Sequence, residues 1–145
     1  MTRVVTSALA RAAELIGAAL GVAVASEPIG ALDPEESPVD ETKVAVSLSE
    51  GTSSEGEYLL GSATPYEFEH QAVFELVVAG SDEATRAAKR DECLMATAAA
   101  IAADPTLSGL VDFAELTSPD VSAEERFAGV TATLTLLYSA PTALG

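Results

Sequence analysis

The sequence predicts an α+β fold: a mixed, mostly antiparallel sheet with two helices packed on one face, in the order α-β-β-β-α-β-β. Three observations lead there. Two segments repeat apolar residues at helical spacing: Leu9, Ala13, Ile16 and Leu20 in the first, Leu94, Ala98, Ile101 and Ala102 in the second. Two long runs, Tyr66 to Ala79 and Val130 to Tyr138, alternate with period two. Helices and strands are interspersed without strict βα alternation, which disfavours an all-parallel sheet. With 145 residues the chain fits a single domain, residues 1–145.

Thr6 or Ser7 is placed to cap the first helix, which runs to about Leu20 with Gly21 as its stop. Glu27 to Thr42 follows, with three Pro, one Gly and six acids, the composition of a solvated loop. Its acids lack the spacing of a calcium-binding helix–loop–helix. Lys43 to Leu48 alternates as a short strand. Ser49 to Glu57 is polar and Gly-containing, suited to a projecting hairpin arm, and Glu57 to Gly61 can begin a return strand. Thr64-Pro65 interrupts before the long strand at Tyr66.

That strand is the most legible element. One face carries Tyr66, Phe68, His70, Ala72, Phe74, Leu76 and Val78, and the other carries Glu67, Glu69, Gln71, Val73, Glu75 and Val77. The split predicts one buried face, and a second face that is wet in the first half and covered towards the end. Ser81 is placed to cap the second helix, with Asp82 and Glu83 favourably near its positive end. Arg86, Lys89, Arg90, Asp91 and Glu92 are expected on its polar face, and Pro105 ends it. Gly109 should open a strand over Leu110 to Leu116, and Thr117 to Glu125 reads as a second acidic loop. The last strand sets Val130, Ala132, Leu134, Leu136 and Tyr138 on one face and Thr131, Thr133 and Thr135 on the other.

Charge limits the partners. Seven Lys and Arg against 23 Asp and Glu give a net charge of −16. Affinity for phosphate backbones and anionic lipid heads comes from cations, so neither a nucleic-acid grip nor a membrane surface is expected. The small-residue run Val22 to Ser26 resembles a signal-peptide cleavage site, but Arg11 and Glu14 break the apolar stretch before it. No run approaches the roughly 18 apolar residues of a membrane span. Aromatic residues are 5% and Trp is absent, which points to a core of Val, Leu, Ile and Ala with few large anchors and to no sugar-stacking platform.

A catalytic constellation is not visible. The one His, His70, sits on the apolar side of its strand with no nucleophile elbow in the chain, and fits a core-edge or subunit-contact residue. Cys93 is mid-helix beside acids, which raise a thiol pKa. Neither glycine-rich phosphate motif is present. No cofactor or metal is expected and no enzyme activity is assigned.

The strand Tyr66 to Ala79, the helix after it and the turn Asp104-Pro105-Thr106-Leu107-Ser108-Gly109-Leu110-Val111 together resemble the tail-terminator and head-to-tail joining proteins of long-tailed bacteriophages. There a Thr-Leu-x-Gly-Leu/Val turn follows the long helix and opens a strand. The N-terminal Ala8-Leu9-Ala10 and the closing strand Leu134 to Tyr138 fit the same pattern. The resemblance implies a virion subunit, assembled in the host cytoplasm, that forms a hexameric ring on the last ring of the tail tube. Such a ring stops tube polymerisation and offers a surface to the neck or stopper protein, while DNA passes through its lumen without specific binding. A carboxylate-lined lumen would repel the phosphate backbone. Glu50, Glu55, Glu57, Glu67, Glu69, Asp120, Glu124 and Glu125 are the expected assembly or lumen-facing residues, with loops favoured over strands. The alternatives are a neck, stopper or tail-tube subunit of the same virion, a small carboxylate-based enzyme, or an acidic adaptor for a basic partner. A tube subunit would need a β-sandwich with long sheets, against which the Ala-rich helix argues.

Overall fold

A computed structural model describes residues 3–27, 43–55, 66–80, 82–123 and 127–140. Among them the order is α1 (Val4–Leu20), β1 (Val24–Ala25), β2 (Lys43–Glu55), β3 (Tyr66–Ala79), α2 (Glu83–Ala103), β4 (Phe113–Ala123) and β5 (Phe127–Ala140). The strands form one sheet in the order β1-β2-β3-β5-β4. Only the short β1–β2 pairing is parallel, and the others are antiparallel. Both helices lie on one face, so the fold is α+β with the expected element order. The two-residue β1 is the first of the three strands between the helices, and the strand expected to begin at Glu57 to Gly61 lies outside the described residues.

Strand parity decides which side chains meet the helices. On β3, Phe68, His70, Ala72, Phe74, Leu76 and Val78 are buried. Their partners on β5, from Ala128 to Tyr138 by twos, are buried with them. On the other face of β3, Glu67, Glu69 and Gln71 are exposed, Val73, Glu75 and Val77 are half-buried, and Ala79 is buried. This is the graded covering that the alternation predicts. The core does have large anchors: Phe68, Phe74 and Tyr138 are all buried, and the rings of Phe68 and Tyr138 stack with centroids 5.2 Å apart.

Several sequence expectations shift. α1 begins at Val4, and Arg3 precedes it with no side-chain cap, so Thr6 and Ser7 lie inside the helix. Its buried line is Val5, Ala8, Ala12 and Ile16, with Leu9 and Leu20 half-buried beside it. The helix touches both α2 and the β1–β2 side of the sheet, so the centre of its buried arc falls between these neighbours, where small alanines fit. α2 likewise buries Arg86, Cys93, Thr97 and Ile101, leaving Leu94 and Ala98 half-buried and Ala102 exposed. Arg86 is therefore not polar-face decoration: its guanidinium donates to the Gly80 carbonyl at 2.6 Å, tying the end of β3 to α2. Asp82 is the residue that caps α2, accepting from the Thr85 amide at 3.2 Å, while Ser81 lies outside the described residues.

The two edge-side strands are longer than expected because both carry bulges. In β2 the pairing steps from Ser49↔Val73 to Thr52↔Gln71, so Glu50 and Gly51 together oppose Ala72. In β4 it steps from Thr117↔Thr133 to Asp120↔Thr131, so Ser118 and Pro119 oppose Ala132. Each extra residue shifts the alternation by one, and the period-two signal breaks although pairing continues. Hence 49–55 and 117–123 are strand, not loop. The segment between α2 and β4 is a tied corner. Leu107 and Val111 are buried, the Ser108 amide donates to Asp104 Oδ1 at 3.0 Å, and the Asp112 amide donates to the Leu137 carbonyl at 2.7 Å. This corner delays β4 to Phe113, beyond the expected start at Leu110.

Candidate functional site: the open sheet face

Both helices lie on one side, and among the described residues no helix covers the other face of the sheet, which is most exposed where β3, β5 and β4 meet near Glu69, Leu137 and Phe113. The tied corner determines what β4 shows there. It enters the sheet with Ala114 and Leu116 directed to the helix layer, so Phe113, Glu115 and Thr117 share the outer face. Phe113 is 44% exposed whereas Ala114 is 2% exposed, an inversion of the usual preference for burying the larger apolar residue. On β5 the inward Leu136 is buried and its outward neighbour Leu137 is 41% exposed. Phe113 and Leu137 are register partners, and Leu137 also pairs with Glu69, so the three form one row across β4, β5 and β3. Directly opposed side chains of this kind have Cβ atoms about 4.5–5.5 Å apart.

Carboxylates surround the apolar pair. Glu69 closes the row, Glu67 lies two residues further along β3, and Glu115 lies two residues along β4. All three are exposed. Thr131, Thr133 and Thr135 form the expected ladder on the same face. Asp120 sits at its far end, opposite Thr131. An apolar centre with an acidic surround is the usual chemistry of a recognition surface.

The other predicted positions are more dispersed. Glu50 is exposed in the β2 bulge and accepts from Arg3 at 2.9 Å, linking the start of α1 to the arm of β2. Glu55 is the last residue of β2, in register with Phe68. Glu57, Glu124 and Glu125 lie outside the described residues. Glu50, Glu55 and Asp120, expected in loops, thus stand on strands that the bulges prolong. Sequence reasoning missed Phe113, Glu115 and Leu137. The signal was present, since Phe113 and Glu115 are in phase with each other and out of phase with Ala114 and Leu116, but a strand placed at Leu110 to Leu116 gave no reason to put the phenylalanine outside.

His70 belongs to the core, on the interior strand β3. It is 1% exposed, and its Nε2 donates to the Glu50 carbonyl in the bulge. Nδ1 is buried without a hydrogen-bond partner among the described residues, as is the Tyr138 hydroxyl on the same face. Burial pushes the His70 pKa below the ordinary 6.5, against a smaller opposing effect of the bond to Glu50. Burial likewise raises the Cys93 thiol, with Glu92 adding a lesser push. The Thr85 hydroxyl and amide lower the Asp82 carboxyl.

Among the described residues, no three His, Cys, Asp or Glu side chains converge to hold a metal ion, and no helix is long and apolar enough to cross a membrane. No family model matches this chain, and no curated protein matches it.

Proposed function

We propose that this chain is a structural subunit of the tail-terminator and head-to-tail joining kind. In this reading it assembles into a ring that caps the tail tube of a long-tailed phage, ends tube polymerisation and joins the tail to the neck. The observation that carries the reading is the one-sided architecture. Both helices cover one sheet face, and among the described residues the other face presents an apolar pair, Phe113 at 44% and Leu137 at 41% exposure. A monomer gains nothing from exposing Phe113 and Leu137, whereas a virion subunit would bury them against a neighbouring protein at the tail joint.

The charge has a place in the same reading. Acids at the bulges and strand ends, Glu50, Glu55 and Asp120, with Glu57, Glu124 and Glu125, would line a lumen that repels DNA in transit. Glu67 and Glu69 would lie at an assembly surface. The test is native mass spectrometry and electron microscopy of the purified protein, alone and mixed with tail tubes. The expected result is a six-membered ring seated on tube ends. A stable monomer at high concentration that forms no ring on tubes would overturn the reading.

A further inference from the structure

We infer that the Phe113–Leu137 patch docks a different protein, one that presents an apolar side chain flanked by Lys or Arg. This rests on the joining reading and deepens it by naming the partner's chemistry; ring formation is measured separately, so failure of peptide binding is distinguishable from failure of the ring.

Three observations support it. The corner before β4 and the parity of β5 set both side chains on the face away from the helices, where Phe113 is 44% and Leu137 41% exposed. The rim is acidic, with Glu67, Glu69 and Glu115 each within one or two positions of the pair. Buried apolar cores with charged rims are the ordinary anatomy of protein interfaces, and rim charges select the partner. Finally, a second copy is a poor occupant. Face-to-face pairing would set the same carboxylates against each other. The outward surface of α2, the other candidate, carries exposed Met95 but has Asp91 and Glu92 one turn away, and Lys89 there already pairs with Glu92 at 3.7 Å. With 23 acids to seven bases, basic side chains are scarce on a second copy. Edge pairing is also limited, since the bulge at Ser118 and Pro119 blunts the outer strand β4.

The full chain is tested with three labelled synthetic helical peptides of equal length: one of Leu and Lys, one of Leu and Glu, and one of Ala and Lys. Binding is followed by fluorescence anisotropy at low and high salt, and amide chemical shifts of the unmodified protein map the site. The Leu/Lys peptide should bind, more weakly as salt rises, and perturb residues 67–71, 113–115 and 135–139. The Leu/Glu peptide should not bind, and the Ala/Lys peptide should bind at least tenfold more weakly. Phe113→Ser with Leu137→Ser, and Glu67→Gln with Glu69→Gln and Glu115→Gln, should each weaken Leu/Lys binding tenfold or more. The inference is overturned if the shifts map elsewhere, if the Ala/Lys peptide binds equally well, or if sedimentation shows self-association that Phe113→Ser with Leu137→Ser abolishes. The last result would make a second copy the occupant.

Discussion

Replacing Gly51 by alanine tests how the β2 bulge is built. Gly51 has φ +66°, and a Cβ placed there would stand 2.0 Å from the Gln71 carbonyl oxygen and 3.1 Å from Ala72 Cα. Both neighbours are β3 backbone, so no side chain can swing away. Two costs add. The left-handed conformation costs an L-residue about 1–2 kcal/mol. Pushing packed backbone aside costs about 1–3 kcal/mol, judged from overpacked cores. The stiffer unfolded chain returns about 0.4–1 kcal/mol. Gly51→Ala should therefore lose about 1–5 kcal/mol, by combining these ranges. Gly21, the C-cap of α1, provides the control: its φ is +69°, and a Cβ there would meet nothing within 4 Å. Gly21→Ala carries only the conformational cost and should lose about 1 kcal/mol or less. Urea unfolding at constant slope compares the two. At about 1–3 kcal/mol per molar urea, the extra loss at Gly51 moves the midpoint by roughly 1 M. Equal midpoints for the two variants would refute the close-approach argument, because the backbone contact is what separates them.

Other expectations concern the core, the corner and the titratable groups. The unfolded chain takes up a proton at His70 as pH falls through about 6.5, whereas the folded chain resists it, so the unfolded state binds more protons below that pH. Stability contributed at His70 is then full above pH 6.5 and declines as pH falls from there through the lowered folded-state pKa. His70→Gln should flatten that decline in urea midpoints, and an unchanged pH slope would count against it. Phe74→Ala removes a fully buried ring and should cost about 3–5 kcal/mol, whereas Phe113→Ala on the open face should stay within about 0.5 kcal/mol, both read from thermal or urea unfolding. Asp104→Ala removes the acceptor for the Ser108 amide and the 3.4 Å ion pair to Arg11, and should cost about 1–2 kcal/mol with loss of amide protection in the corner by hydrogen exchange. Cys93, buried with a raised pKa, should react with a disulfide reagent at neutral pH only as fast as the helix opens, and should react fully in denaturant.

Alternation along the chain was enough to define β3, the body of β5 and both faces of each, while which strands pair came only from the fold. In those strands the alternation runs unbroken, and it is the direct chemical record of one dry face and one wet face. The stops of α1 at Gly21 and of α2 before Pro105 were equally legible, because positive φ and the missing amide are local properties. Other features exist only in the folded chain. Helix stripes turned by a position because each helix packs on more than one neighbour, which no single-helix periodicity encodes. β2 and β4 continued past their alternating segments because a bulge keeps hydrogen bonding while resetting parity. The open face followed from that geometry: only once the corner before β4 delivers the chain at Phe113 does parity send the phenylalanine to water and the alanine to the core.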